Sequence, residues 1–181
     1  MKKILKLHWM FIFGLSLGVI SRLLDIYTSN LGNIFSKMAI WILIGTIISI
    51  YSKNKESAMI NVFSFCIGML ITYYSVAKIT HGVYSQSFII GWTLFAFCSP
   101  IMAYFSWMSK EKGVFSKLIC VGIVIVSILF SIVLFDRLKI YDFILDIVLI
   151  YILFLKKYIE INIIRLSNYK NDIFNVNVLI F

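Results

Sequence analysis

Long apolar runs separated by short polar segments constrain this 181-residue chain more than any other feature. Measured against the roughly 20 residues that cross a hydrocarbon core of about 30 Å, six runs predict membrane spans. These runs cover about 8–24, 34–51, 58–77, 88–108, 114–135 and 140–155. Each must be helical, because lipid offers backbone amides no hydrogen-bond partner and the alternating pattern of a barrel strand is absent. The sequence predicts an all-α, polytopic transmembrane helix bundle within residues 1–157.

The composition excludes a soluble globular protein, which needs a polar surface to stay dispersed. Hydrophobic residues make up 61% of the chain, and the mean hydropathy is +0.98. The lipid bilayer is therefore its first predicted partner. The net charge of +9 is carried by basic residues that stand singly or in pairs between apolar runs, with no basic face, so we predict no nucleic-acid partner. Since the connections are short, we expect helices adjacent in sequence to be neighbours in the bundle.

The distribution of lysine and arginine predicts the orientation, because positive charge is retained on the cytoplasmic side. With the N-terminus inside, the cytoplasmic segments hold twelve basic residues and the opposite side holds five. Both termini are therefore predicted to be cytoplasmic. The first run has the basic start of a signal peptide but no cleavage motif, and we interpret it as an uncleaved span. The tail at 158–181 is predicted to be cytoplasmic or interfacial.

Small residues at helical spacing predict close helix packing. Two glycines of the first run share a helix face with Arg22 and Asp25, which follow at the outer edge of the membrane. Packing within one bundle is preferred to homodimerisation, because Arg22 and Asp25 would otherwise meet their own copies. The four glycines predicted at helix contacts are Gly14, Gly18, Gly45 and Gly68.

Two aspartates stand out in the sixth run. Asp146 lies six residues into the span, and Asp142 lies one turn earlier on the same face. Because a charge inside a membrane helix costs about 2.5 to 3.5 kcal/mol, Asp146 is either a proton or cation site or the partner of a basic residue such as Arg22 or Arg137. Both aspartates, with Arg22 and Asp25, are candidate ligand-binding residues of an outward-facing polar cavity. The alternative is that these are ordinary residues of loops and of the membrane interface.

The only proline, Pro100, lies in the middle of the fourth run. It removes one backbone hydrogen bond and is expected to bend the helix. Broken helices mark binding sites in some transporters, which is one interpretation of this position. The other is a passive kink that the neighbouring Ser99 relieves.

No catalytic constellation emerges from the sequence. The motifs of zinc peptidases, serine hydrolases and phosphate-binding loops are absent. A thiol peptidase pair of His81 and Cys98 is disfavoured, because these residues are predicted to lie about 15 Å apart along the helix axis. The three cysteines stand in separate apolar runs and are expected to be buried hydrophobic residues. We therefore predict no catalytic residue, no metal and no cofactor.

Three phrases carry a resemblance to known proteins: GVISRLLD at 18–25, SKMAIWILIG at 36–45 and AMINVFSFCIGM at 58–69. Together they resemble a group of small, uncharacterised multi-spanning membrane proteins of bacteria. The similarity covers roughly the first 150 residues. It implies an integral protein of the bacterial cytoplasmic membrane, and it implies no activity and no functional residue.

Three functions of different class stay open at this point. The first is a component that binds or transports a small solute. Size, six spans and cytoplasmic termini are similar to the substrate-binding subunits of energy-coupling-factor vitamin transporters, although the chain shows no ligand motif of theirs. The second is a non-catalytic partner of other membrane proteins, and the third is a membrane-embedded enzyme.

Overall fold

The structure, a computed structural model, describes residues 7–28, 35, 38–80, 86–111, 113–135 and 140–156. The described part is helical and shows no strand, which confirms the predicted all-α fold. The predicted tail at 158–181 lies outside the described residues. In chain order the helices are α1 (Leu7–Tyr27), α2 (Met38–Tyr51), α3 (Lys55–Ile79), α4 (Gln86–Met108), α5 (Val114–Phe135) and α6 (Ile140–Ile150), followed by a π-helical segment (Tyr151–Lys156).

Three described helices, rather than the six predicted, are long and apolar enough to cross a membrane. They are α1, α3 and the part of α4 at Ile89–Met108. The other helices offer shorter apolar stretches. Helix α2 has 14 residues and α6 has 11, about 21 and 16 Å at the helical rise. The apolar stretch of α5, Val114–Leu129, is also below span length.

The described helices are apolar outside and partly polar inside. Ile90 and Phe97 are 60% and 63% exposed, whereas the side chains of Ser49 and Ser99 are buried. Proteins that fold in water generally show the opposite distribution. This surface and the three span-length helices indicate association with a membrane.

Helices α2, α3 and α4 alternate in direction. A turn at 52–54 joins α2 to α3, and the Asn61 side chain donates a hydrogen bond to the hydroxyl of Ser52 at 3.1 Å across this turn. Helix α4 runs parallel to α2. The rings of Trp41 and Trp92 lie 6.3 Å apart near the start of both helices. Lys110 Nζ lies 3.1 Å from the carbonyl oxygen of Ser52 at their other end.

Helix α1 packs on α3 rather than on α2, its neighbour in sequence. The two helices run parallel and approach to backbone contact. A methyl group at Gly14 would overlap the carbonyl oxygen of Phe65, and one at Gly68 would lie 2.7 Å from the carbonyl oxygen of Phe11. Gly18 lies in the same interface. The expectation that sequential helices are neighbours is therefore wrong for α1, because its glycines fit the face of α3.

Helix α2 lies between two apolar cores. On one side Trp41 packs with Phe65 and Ala96, which belong to α3 and α4. On the other side Ile42 packs with residues of α5 and the C-terminal helical segments, including Leu149. This central position explains why the shortest of the first five helices is also among the most buried.

Candidate functional site

A cavity of about 310 Å³ lies between α2, α3, α4 and α5. Phe105 lines it and is 44% exposed, so the cavity reaches the outer surface of the bundle. Its wall on α4 and α5 is mainly apolar and includes Phe95, Met102, Ala103, Ile119, Ile123 and Val126.

A few weakly polar groups interrupt the apolar lining. Thr46 and Ser106 contribute hydroxyls from α2 and α4, and Cys66 contributes a thiol from α3. None of the residues that line the cavity is charged. Ligand pockets in proteins commonly combine an apolar wall with a small number of such groups, which fix the orientation of the ligand. The chemistry of the cavity suits a mainly apolar molecule with one hydrogen-bonding group.

The cavity exists because several of the residues around it have small side chains. A methyl group at Gly122 of α5 would meet no atom within 4 Å, and one at Gly45 of α2 would come only to 3.6 Å from Val62. Gly45 was predicted to lie at a helix contact, and it lies opposite α3 while also facing the cavity. The cavity therefore occupies volume that larger side chains at Gly45, Gly122 and Ala103 would fill.

Pro100 lies directly beside the cavity, after Ser99. Proline has no N–H, so in an α-helix the carbonyl four residues earlier, that of Ala96, loses its usual donor. The hydroxyl of Ser99 donates to this carbonyl oxygen at 2.7 Å. This contact favours the interpretation in which Ser99 relieves the effect of the proline.

Arg22 and Asp25 lie together at the end of α1. Arg22 Nη1 is 3.6 Å from Asp25 Oδ2, and both side chains are mostly shielded. Tyr73 of α3 donates its hydroxyl to the same carboxylate oxygen at 2.5 Å, while the Arg22 guanidinium lies 5.7 Å from the centre of the Tyr73 ring. Because Arg22 and Asp25 both belong to α1, the hydroxyl and the ring of Tyr73 are the groups that connect this pair to α3. These contacts describe a charged clamp between two helices.

The second predicted pair lies on α6. Asp142 is fully buried and Asp146 is 6% exposed. Ser127 of α5 donates its hydroxyl to Asp146 Oδ1 at 2.7 Å. A further contact in the same interface, from the thiol of Cys120 to the carbonyl oxygen of Leu153 at 4.0 Å, shows that α5 and α6 run antiparallel. The aspartates therefore face a protein interior rather than lipid.

The structure brings each predicted pair together but places the pairs on different helices. The main packing of α1 in the described part is with α3, whereas α6 packs on α2 and α5. None of the four residues lines the cavity between α2 and α5. Arg137, one predicted partner for Asp146, lies outside the described residues. The four candidate residues thus form two separate pairs, with Tyr73 and Ser127 as partners that the sequence did not assign.

The residues considered for catalysis do not form a described site. His81 lies outside the described residues. Cys66 and Cys120 are buried as expected, but Cys98 is exposed on α4, because its face of that helix is not covered by another described helix. Among the residues that the structure describes, no three histidine, cysteine, aspartate or glutamate side chains gather closely enough to hold a metal ion.

Comparison with known proteins gives no match. No family model, no curated protein and no solved structure matches this chain. Its function must therefore be inferred from the geometry of the cavity and of the two polar pairs.

Proposed function

We propose that the chain is an integral protein of a bacterial cytoplasmic membrane that crosses the bilayer six times. The alternating direction of its helices supports this topology. Helices α1 and α3 run parallel, α2 runs opposite to α3, and α6 runs opposite to α5. Helices of less than span length are compatible with crossing where their ends extend into connections or lie among other helices.

The positions of the lysines support cytoplasmic termini. The connections that follow α2 and α4 lie at the same end of the bundle, because Lys110 Nζ is 3.3 Å from the carbonyl oxygen of Ile50 and Lys55 Nζ is 3.6 Å from Glu111. In the described part, the opposite end holds Arg22 and Lys78. Retention of positive charge makes the lysine-rich end cytoplasmic. The described basic residues at that end are Lys53, Lys55, Lys110, Lys117 and Lys156.

Within this topology we propose that the protein is a component that binds or transports a small solute, and that the solute is mainly apolar. The cavity is the observation that carries this proposal. Its volume of about 310 Å³ lies at the lower end of the range for ligand pockets, about 300–1,000 Å³. Its apolar wall would contact the body of the ligand, and the hydroxyls of Thr46 and Ser106 would contact one polar group.

The route of entry also favours an apolar ligand. Phe105 stands where the cavity meets the outer surface, and in the proposed topology lipid covers this part of α4. A molecule that partitions into the bilayer would reach the cavity without passing through water. The solute class therefore differs from the one expected for the outward-facing polar cavity, whose candidate residues are charged.

A non-catalytic partner function is the alternative of different class. It would need a free small-residue face to dock another membrane helix. Gly14, Gly18 and Gly68 all face the contact between α1 and α3. The small-residue faces therefore support internal packing better than docking.

The proposed binding site is tested by a substitution that fills the cavity with a larger side chain. In Gly122→Leu the new side chain enters open space inside the cavity, and in Gly91→Leu an equal side chain enters open space on the exposed surface of α4. The probe is 1-aminoanthracene, a small aromatic amine, titrated into purified protein in detergent. We expect saturable fluorescence enhancement for wild type and Gly91→Leu, and an affinity weaker by about tenfold or more for Gly122→Leu. Equal binding by both variants, or a wild-type signal no larger than that of empty micelles, would refute the proposed site.

A further inference from the structure

Two serines of α5 face the two aspartates of α6. The hydroxyl of Ser127 contacts Asp146 directly. Ser131 lies one turn after Ser127 on α5, and Asp142 lies one turn before Asp146 on α6. Because the two helices are antiparallel, Ser131 is therefore level with Asp142. The four side chains therefore form a ladder of oxygen atoms between two helices, and all four are buried.

The hydroxyl of Ser131 has no hydrogen-bond partner among the described residues and is fully buried. Buried polar groups in folded proteins nearly always have a partner, because an unsatisfied one costs free energy. The face of α5 that carries Ser131 also carries Ser127 and points toward α6. An oxygen atom without a partner is thus directed into an interface that already contains a carboxylate.

The described surroundings of Asp146 are the second observation. Its described polar contact is the neutral hydroxyl of Ser127. Helix α2, which packs on α6, carries no charged residue, and Lys117 of α5 lies about 15 Å from Ser127 along the helix. Lys156, at the end of the π-helical segment, is equally far from Asp146 along the chain axis. The charged residues at 136, 137 and 139 lie outside the described part.

We propose that the ladder formed by Ser127, Ser131, Asp142 and Asp146 binds a small monovalent cation of the Na⁺ class. Hard cations prefer oxygen ligands, and charged residues inside membrane proteins commonly mark ion pathways. The ladder offers carboxylate oxygens from α6 and hydroxyl oxygens from α5. The bound ion would also use the free lone pairs of the Ser131 hydroxyl, which explains why this oxygen is buried without a partner. The site is separate from the cavity and does not depend on the proposed solute.

The test measures stabilisation by sodium. Purified full-length protein in detergent is melted at increasing NaCl, with choline chloride holding the ionic strength constant. Binding to the folded state raises the melting temperature in a saturable way. We expect this rise for wild type and for Ser49→Ala, which removes a buried hydroxyl bonded within its own helix, on the carbonyl of Gly45. In Asp146→Asn the apparent affinity for Na⁺ should weaken by at least about tenfold.

Ser131→Ala separates ion binding from a structural role. In choline chloride this variant should melt at the wild-type temperature or higher, because it removes an unsatisfied hydroxyl. In NaCl it should lose most of the sodium-dependent rise. A full sodium response in Ser131→Ala would overturn the proposal. So would a wild-type protein that responds equally to sodium and choline, or one that responds to pH and not to sodium, as expected if Asp146 binds a proton instead.

Discussion

Replacing Gly14 by alanine should separate α1 from α3 and destabilise the protein. The added methyl group would overlap the carbonyl oxygen of Phe65. Because that oxygen belongs to the backbone of a helix, it cannot rotate away as a side chain can. The overlap is relieved only when the two helices move apart.

Three contributions determine how much Gly14→Ala lowers the free energy of unfolding. Overpacking of a well-packed contact costs about 1 to 3 kcal/mol. Separation of the helices also weakens the hydrogen bond that Thr72 donates to the carbonyl oxygen of Leu15 at 2.9 Å, and such bonds average about 0.6 kcal/mol in membrane proteins. The higher helix propensity of alanine than of glycine stabilises the helix by about 0.8 to 1.0 kcal/mol and offsets part of this loss. The net loss for Gly14→Ala is about 0.6 to 2.8 kcal/mol.

The native cysteines supply the assay. Cys66 and Cys120 are buried and react with a thiol-specific fluorophore only after unfolding, whereas Cys98 is exposed and is replaced by serine in all samples. A loss of this size should lower the melting temperature by several degrees, at about 2–4 °C per kcal/mol for a chain of this length.

The matched control is Gly91→Ala. This residue also lies within a helix, but a methyl group there meets no atom within 4 Å. Its melting temperature should stay unchanged or rise slightly. If Gly14→Ala melts at the same temperature as Gly91→Ala, the backbone contact between α1 and α3 is not as close as the structure places it, and the packing argument fails.

Two further outcomes are expected. Ser99→Ala should cost about 1 kcal/mol, because it leaves the carbonyl of Ala96 without its donor, and adding Pro100→Ala should restore most of that loss by returning an N–H. Thermal unfolding of the single and double variants checks this, and a double variant no more stable than the single one would contradict the assigned role of Ser99. An impermeant lysine reagent added outside intact cells should label Lys78 and leave Lys53 unlabelled, and the reverse pattern would invert the proposed topology.

The apolar runs of the sequence predicted the positions of the helices better than the residues at which the helices end. Helix α5 was predicted at 114–135 and has these bounds in the structure. It follows Gly113, whose φ of 128° strongly favours glycine and prevents the preceding turn from continuing as helix. At α6 the apolar run continues to 155, but the α-helix ends at Ile150 and a π-helical segment follows. Hydropathy does not distinguish these two hydrogen-bonding patterns, because both satisfy the backbone within the segment.

Helical spacing predicted the pairing of side chains within a helix and the glycines that lie at helix contacts, but it did not predict which helices pack together. Arg22 and Asp25 lie three residues apart, so their pairing followed from periodicity. Their partner Tyr73 depends on α1 packing against α3, which no local pattern specifies. The cavity is harder still to predict, since it consists of volume left empty where four helices meet, and small residues such as Gly45 and Gly122 are equally consistent with tight packing.

Helix α5 connects the two proposed sites. Val126 lines the cavity, and the next residue, Ser127, contacts Asp146. Consecutive residues of an α-helix point about 100° apart, so one helix presents different faces to the cavity and to α6. A cation that drew Ser127 and Ser131 toward α6 would move or rotate α5, and Val126 and Ile123 would move with it. The volume of the cavity would then depend on the bound ion, because α5 carries both the residues that line the cavity and the serines of the ion site.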